Sequence, residues 1–86
     1  MPTEPAAAEE TILRLLAEAG TGRTVSPTDV ARALTVGPDW HLLMPPVRRA
    51  AVKLALAARL VIYRKGKPVD PTDFKGVYRL GLPRQD

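Results

Sequence analysis

The chain has 86 residues, 45% apolar and 26% charged, with a formal net charge of +4 and no cysteine. A chain of this length builds one hydrophobic core, and the missing cysteine excludes disulfides, thiolate metal sites and thiol nucleophiles. Trp40, Tyr63, Phe74 and Tyr78 are its only aromatic residues, so aliphatic side chains must fill that core.

Pro2 and Pro5 and a lack of apolar residues make 1–5 a loose tail, and 83–86 a second one, around a domain spanning 6–82. From Ala6 to Ala19, Ile12, Leu13, Leu16 and Ala19 recur at helical spacing, with Glu9 and Glu10 toward the positive end of the helix dipole. Gly20 and Gly22 end this first helix. Arg23-Thr24-Val25 is a short extended piece. It leads into Ser26-Pro27-Thr28-Asp29, where Ser26 caps, Pro27 occupies the first helical position and Asp29 completes a variant capping box. The second helix runs through Val30, Ala31 and Leu34 and stops before Gly37-Pro38.

Asp39 is expected to cap a short turn holding Trp40, Leu42 and Leu43. Pro45 and Pro46, tolerated only near a helix start, open the longest helix, which is expected to reach Ala58. Val47, Ala51, Leu54 and Ala58 should face the core, with Arg49 and Lys53 opposite; Leu56 interrupts the amphipathic pattern. Leu60-Val61-Ile62-Tyr63 and Val77-Tyr78-Arg79-Leu80 read as paired strands joined by an extended loop rich in Gly, Pro and Asp. Helix, short strand, helix, helix and hairpin is the order of an α+β winged helix-turn-helix domain, three helices followed by a two-stranded wing.

Three motifs carry a resemblance: Trp40-His41-Leu42-Leu43-Met44-Pro45-Pro46-Val47-Arg48, Gly66-Lys67-Pro68-Val69-Asp70-Pro71 and Gly76-Val77-Tyr78-Arg79-Leu80. Together they make nearly the whole chain resemble a family of small bacterial proteins of unknown function. The resemblance implies a winged-helix fold and no activity, cofactor or ligand.

Charge is segregated along the chain. Residues 1–43 hold three Arg against six Asp and Glu, a net −3; residues 44–86 hold ten Arg and Lys against three Asp, a net +7. Such a one-sided field attracts polyanions, and double-stranded DNA is the expected partner. In that reading the third helix enters the major groove with Arg48, Arg49 and Lys53, while Arg64, Lys65, Lys67 and Lys75 flank a wing along the backbone. Asp70 and Asp73 in the same loop oppose phosphate, and turn formation explains them. Cations on a long surface helix also serve solubility alone. A protein-interaction module, presenting the third helix or wing to a protein partner, is the alternative, favoured by any exposure of Leu56.

Trp40 is expected to pack against the third helix, since so large an apolar side chain is seldom left uncovered. His41 is the lone histidine, with no carboxylate cluster to complete a metal site. No acid–base pair or activated nucleophile is visible. Gly20-Thr21-Gly22-Arg23 lacks the length and the Lys-Ser/Thr ending of a phosphate-binding loop. No enzymatic activity, cofactor or metal is therefore expected. Met1 to Ala8 carries no basic leader segment and no apolar run reaches membrane-spanning length. The expectation is a cytoplasmic protein, monomeric in the absence of any added dimerising helix.

Overall fold

The computed structural model describes residues 5–83. The two expected tails thus lie outside the described residues, except that Pro5 already belongs to the first helix and Pro83 is described. In chain order the elements are α1 (Pro5–Ala19), β1 (Thr24–Val25), α2 (Pro27–Leu34), a 3₁₀ turn (Pro38–Leu43), α3 (Met44–Leu56), β2 (Val61–Arg64), β3 (Lys67–Pro68) and β4 (Arg79–Gly81). The domain is a small α+β unit of three α-helices and an antiparallel four-stranded sheet in the order β1-β4-β2-β3.

The sheet corrects the expectation of a two-stranded wing. The Arg23-Thr24-Val25 segment does not merely lead into α2: Thr24 pairs with Gly81 and Val25 with Leu80, adding β1 to the free edge of β4. Beyond β2 the chain turns back at once, Arg64 opposite Lys67 and Tyr63 opposite Pro68. The two connecting residues, Lys65 and Gly66, both have positive φ (51° and 81°), the backbone of a type I′ hairpin turn. The long connection expected across residues 65–76 is therefore a tight hairpin followed by a loop. Turn-forming Gly, Pro and Asp hid the hairpin, because Lys-Gly is not a sequence signature of that turn.

Alternation along the strands gives the sheet two faces. Val25, Ile62 and Leu80 point to the helices and are buried with Ala8, Ile12 and Leu16 of α1, Val30 and Ala31 of α2, and Val47, Ala50, Ala51 and Leu54 of α3. The capping box at α2 forms as read: Ser26 Oγ accepts from the Asp29 backbone N–H at 3.0 Å, and the Ser26 N–H donates to Asp29 Oδ2 at 3.4 Å. The 3₁₀ turn, by contrast, starts from Gly37 with no side-chain cap, so Asp39 does not act as its cap.

Helix α3 stops two residues short of the expected Ala58. Ala58 adopts φ 61°, and the amides of Ala58 and Arg59 donate to the carbonyls of Ala55 (3.0 Å) and Leu54 (2.9 Å), a Schellman ending. Ala58 consequently leaves the core stripe and is exposed, while Ala50 joins the stripe and is buried. A left-handed L-residue costs about 1–2 kcal/mol relative to a right-handed one, a penalty that glycine avoids. Ala58→Gly is therefore expected to stabilise the domain by about 1 kcal/mol in urea denaturation, whereas a loss of stability would show that the Ala58 methyl makes a contact worth more than the strain.

Candidate nucleic-acid interface

The seven cations singled out in the sequence divide by what they touch. Arg48, on the half-buried side of α3, does not face outward. Its guanidinium carbon lies 3.9 Å from the Phe74 ring centroid and 5.9 Å from that of Tyr78, and Nη2 donates to the Phe74 carbonyl at 2.6 Å. Phe74 and Tyr78 meet edge to face at 5.1 Å. Arg48 thus fastens the 69–78 loop to α3 through cation–π contact and a charge-assisted hydrogen bond. Lys53 is exposed but leans toward α1, its Nζ 3.4 Å from Glu9 Oε2; such a surface pair is worth about 0–1 kcal/mol. Glu9 accordingly serves contact between helices. Arg49 is exposed and has no ion-pair partner among the described residues.

Around the hairpin, Lys65, Lys67 and Lys75 are exposed, and none forms an ion pair among the described residues. Arg64 is tied back: its Nε donates to the Val77 carbonyl at 3.0 Å. Gly76 has φ 88°, a backbone that favours glycine, and a Cβ there would stand 2.7 Å from Arg64 Nη2, so a larger residue would also push the guanidinium aside. Asp70 faces its own loop. Its Oδ1 accepts from the Thr72 backbone N–H (2.9 Å) and hydroxyl (2.7 Å), while the Asp73 N–H donates to the Asp70 carbonyl at 3.1 Å.

The outer face of the sheet holds a feature that the sequence reading missed. A cleft of about 570 Å³ opens there, with Arg23, Arg64, Lys65 and Arg79 in its wall, no acidic side chain, and Tyr63 and Val77 as apolar surface. Arg79 crosses to β1, Nε donating to Thr24 Oγ1 at 2.7 Å and Nη2 to the Thr24 carbonyl at 3.3 Å. Tyr63 pairs with Arg79, and its ring leans over the diagonal neighbour Gly81, where a Cβ would meet Tyr63 Cε2 at 3.0 Å. Alternation with inward Tyr78 and Leu80 would have turned Arg79 outward in the sequence, but nothing local announces that Arg23 lies beside it.

Trp40 is half-buried against the core, with the Arg32 guanidinium carbon 4.9 Å from its ring centroid, which fits the packing role expected of it. His41 places Nδ1 3.1 Å from the Pro38 carbonyl within its own turn. Among the described residues no cluster of three or more His, Cys, Asp or Glu is placed to hold a metal ion, and no helix is long and apolar enough to cross a membrane.

Residues 5–83 match the family described as "Protein of unknown function (DUF3253)", and the chain belongs to that family. No curated protein matches it.

Two experiments test the loop. Burial raises the pKa of Tyr78, with Arg48 opposing, and its hydroxyl is buried without a hydrogen-bond partner among the described residues. Since an unsatisfied buried hydroxyl costs about 1–3 kcal/mol, Tyr78→Phe is expected to be at least as stable as the parent and more stable by about 1 kcal/mol in thermal denaturation; a clear loss would reveal a partner for the hydroxyl. Asp70 is held below the usual aspartate range, first by the Thr72 backbone N–H and then by its hydroxyl. The turn is therefore favoured above the unfolded aspartate pKa and loses that contribution as pH falls through the lower folded value. In a carboxyl ¹³C NMR titration Asp70 should protonate below the usual aspartate range, and Thr72→Ala, which removes the hydroxyl but keeps the backbone N–H, should bring it part of the way back up; an unmoved midpoint in that variant would discard the hydroxyl's share of the assignment.

Proposed function

We propose that this member of the DUF3253 family is a winged-helix module that binds double-stranded DNA through its hairpin tip and the exposed face of α3. The order α1-β1-α2-α3-β2-β3-β4, with β1 closing antiparallel onto β4, supports the winged-helix reading. The β2–β3 hairpin then serves as the wing and α3 as the helix offered to the groove. Arg48 is left to hold the loop, and the phosphate contacts fall to Arg49, Lys65, Lys67 and Lys75.

The observation that carries the proposal is Lys65. It occupies the left-handed first position of a type I′ turn, where Asn, Asp or Gly is strongly preferred. A lysine there gives up roughly 1 kcal/mol of local stability, and in return it places an exposed ammonium at the tip beside Lys67. Strain kept at an exposed charged position is a mark of function. Exposed Leu42 and Leu56, 64% and 63% accessible, favour the second reading, a protein-interaction module. They lie on the 3₁₀ turn and α3, so the two readings part at the hairpin.

Lys65→Asn separates them. The variant should be more stable by about 1 kcal/mol and bind a short mixed-sequence duplex more weakly, with the slope of log affinity against log salt reduced by about 0.9 for the one phosphate that the lysine neutralises. Fluorescence anisotropy across a salt series reads both affinity and slope. Unchanged affinity and slope in Lys65→Asn, or no binding by the parent at low salt, would remove the wing from DNA and leave the protein-partner reading.

A further inference from the structure

The cleft on the outer sheet face lies away from α3 and meets the hairpin tip only at Lys65 and Gly66, and we propose that it is a binding site for a small phosphorylated ligand with a planar aromatic body, of the nucleoside monophosphate class. Three observations carry this. First, about 570 Å³ is the size of a small-molecule site. Second, Arg23, Arg64, Lys65 and Arg79 line it with no carboxylate, and no ion pair among the described residues neutralises any of them. Four uncompensated cations around one concavity call for more than one negative charge, which a phosphate monoester supplies and a single carboxylate does not.

Third, two of the guanidinium groups are already oriented. Arg79 commits Nε and Nη2 to Thr24, and Arg64 commits Nε to the Val77 carbonyl. Nη1 of Arg79 and both Nη groups of Arg64 make no hydrogen bond among the described residues. Arginine forks fixed in advance lose little rotamer freedom when they close on phosphate oxygens. Tyr63, seated beside side-chain-free Gly81, and Val77, 84% accessible, supply the apolar wall on which a flat ring stacks.

The site does not depend on the DNA reading, since Arg23 and Arg79 lie away from the hairpin tip and their removal leaves Arg49, Lys65 and Lys67 in place. The test is an amide NMR titration of the full chain with adenosine monophosphate, with adenosine and inorganic pyrophosphate as separate arms. Saturable shifts at Thr24, Tyr63, Arg79 and Gly81 are expected with the monophosphate, with adenosine and pyrophosphate each weaker by about tenfold or more. Arg23→Ala, which removes an exposed side chain with no hydrogen bond among the described residues and so leaves the fold intact, and Arg79→Ala should each lower affinity for the monophosphate by about tenfold. The proposal is overturned if the monophosphate causes no saturable shift, if pyrophosphate binds as tightly as the monophosphate, or if Arg23→Ala binds as well as the parent.

Discussion

Strand β4 is hydrogen-bonded along both edges, to β1 on one side and β2 on the other. Its three residues join the start of the chain to its end. Leu80, at its centre, is fully buried between Val25 and Ile62 on the neighbouring strands and the helices beneath. Because side chains alternate, the register that puts Leu80 inward necessarily puts Arg79 and Gly81 outward, and a one-residue slip would bury the arginine. The sheet's cationic outer face is therefore a consequence of the same pairing that builds its core.

Net charge proves a coarse guide to the surface this protein offers. Ten of its basic residues lie in the second half of the chain, yet they do different work. Arg48 spends its charge on Phe74, Tyr78 and a backbone carbonyl; Lys53 faces Glu9; Arg64 and Arg79 are anchored by backbone and hydroxyl oxygens. Such anchoring does not neutralise the guanidinium groups, because a carbonyl or hydroxyl carries no full charge. It fixes their direction while their field persists, which suits a site that must receive an anion without first ordering its own side chains. The ammonium groups at the hairpin tip are the opposite case, exposed and unanchored, suited to a phosphate backbone that presents charge at many positions.

Strained backbone is confined to two non-glycine residues, Ala58 and Lys65, among those described. They differ in what the strain accomplishes. At Ala58 it ends α3 and redirects the chain into β2, a task glycine would perform at lower cost. At Lys65 the turn needs the same left-handed backbone, but the side chain is exposed and contributes nothing to the core, so packing does not account for a lysine there.

Much of the architecture was legible locally. Three helices, the Ser26–Asp29 capping box, the proline-marked start of α3 and the pairing of β2 with β4 follow from spacing, caps and alternation, all of which act within a few residues. The α3 cations were legible as residue types, not as roles: whether Arg48 or Arg49 faces outward depends on the loop that folds over the helix, and Phe74 lies 26 residues away from Arg48. The cleft was not legible at all. Thr24 and Arg79 are 55 residues apart, and no local periodicity encodes which distant segment will complete the edge of a sheet. The sequence by itself determined the three helices, the strands β2 and β4, most of the apolar face each would bury and the sign of the charge. Only the tertiary structure decided which cations stay free and which converge, because that rests on long-range strand pairing, whose register is set by the burial of side chains that meet only when the chain has closed.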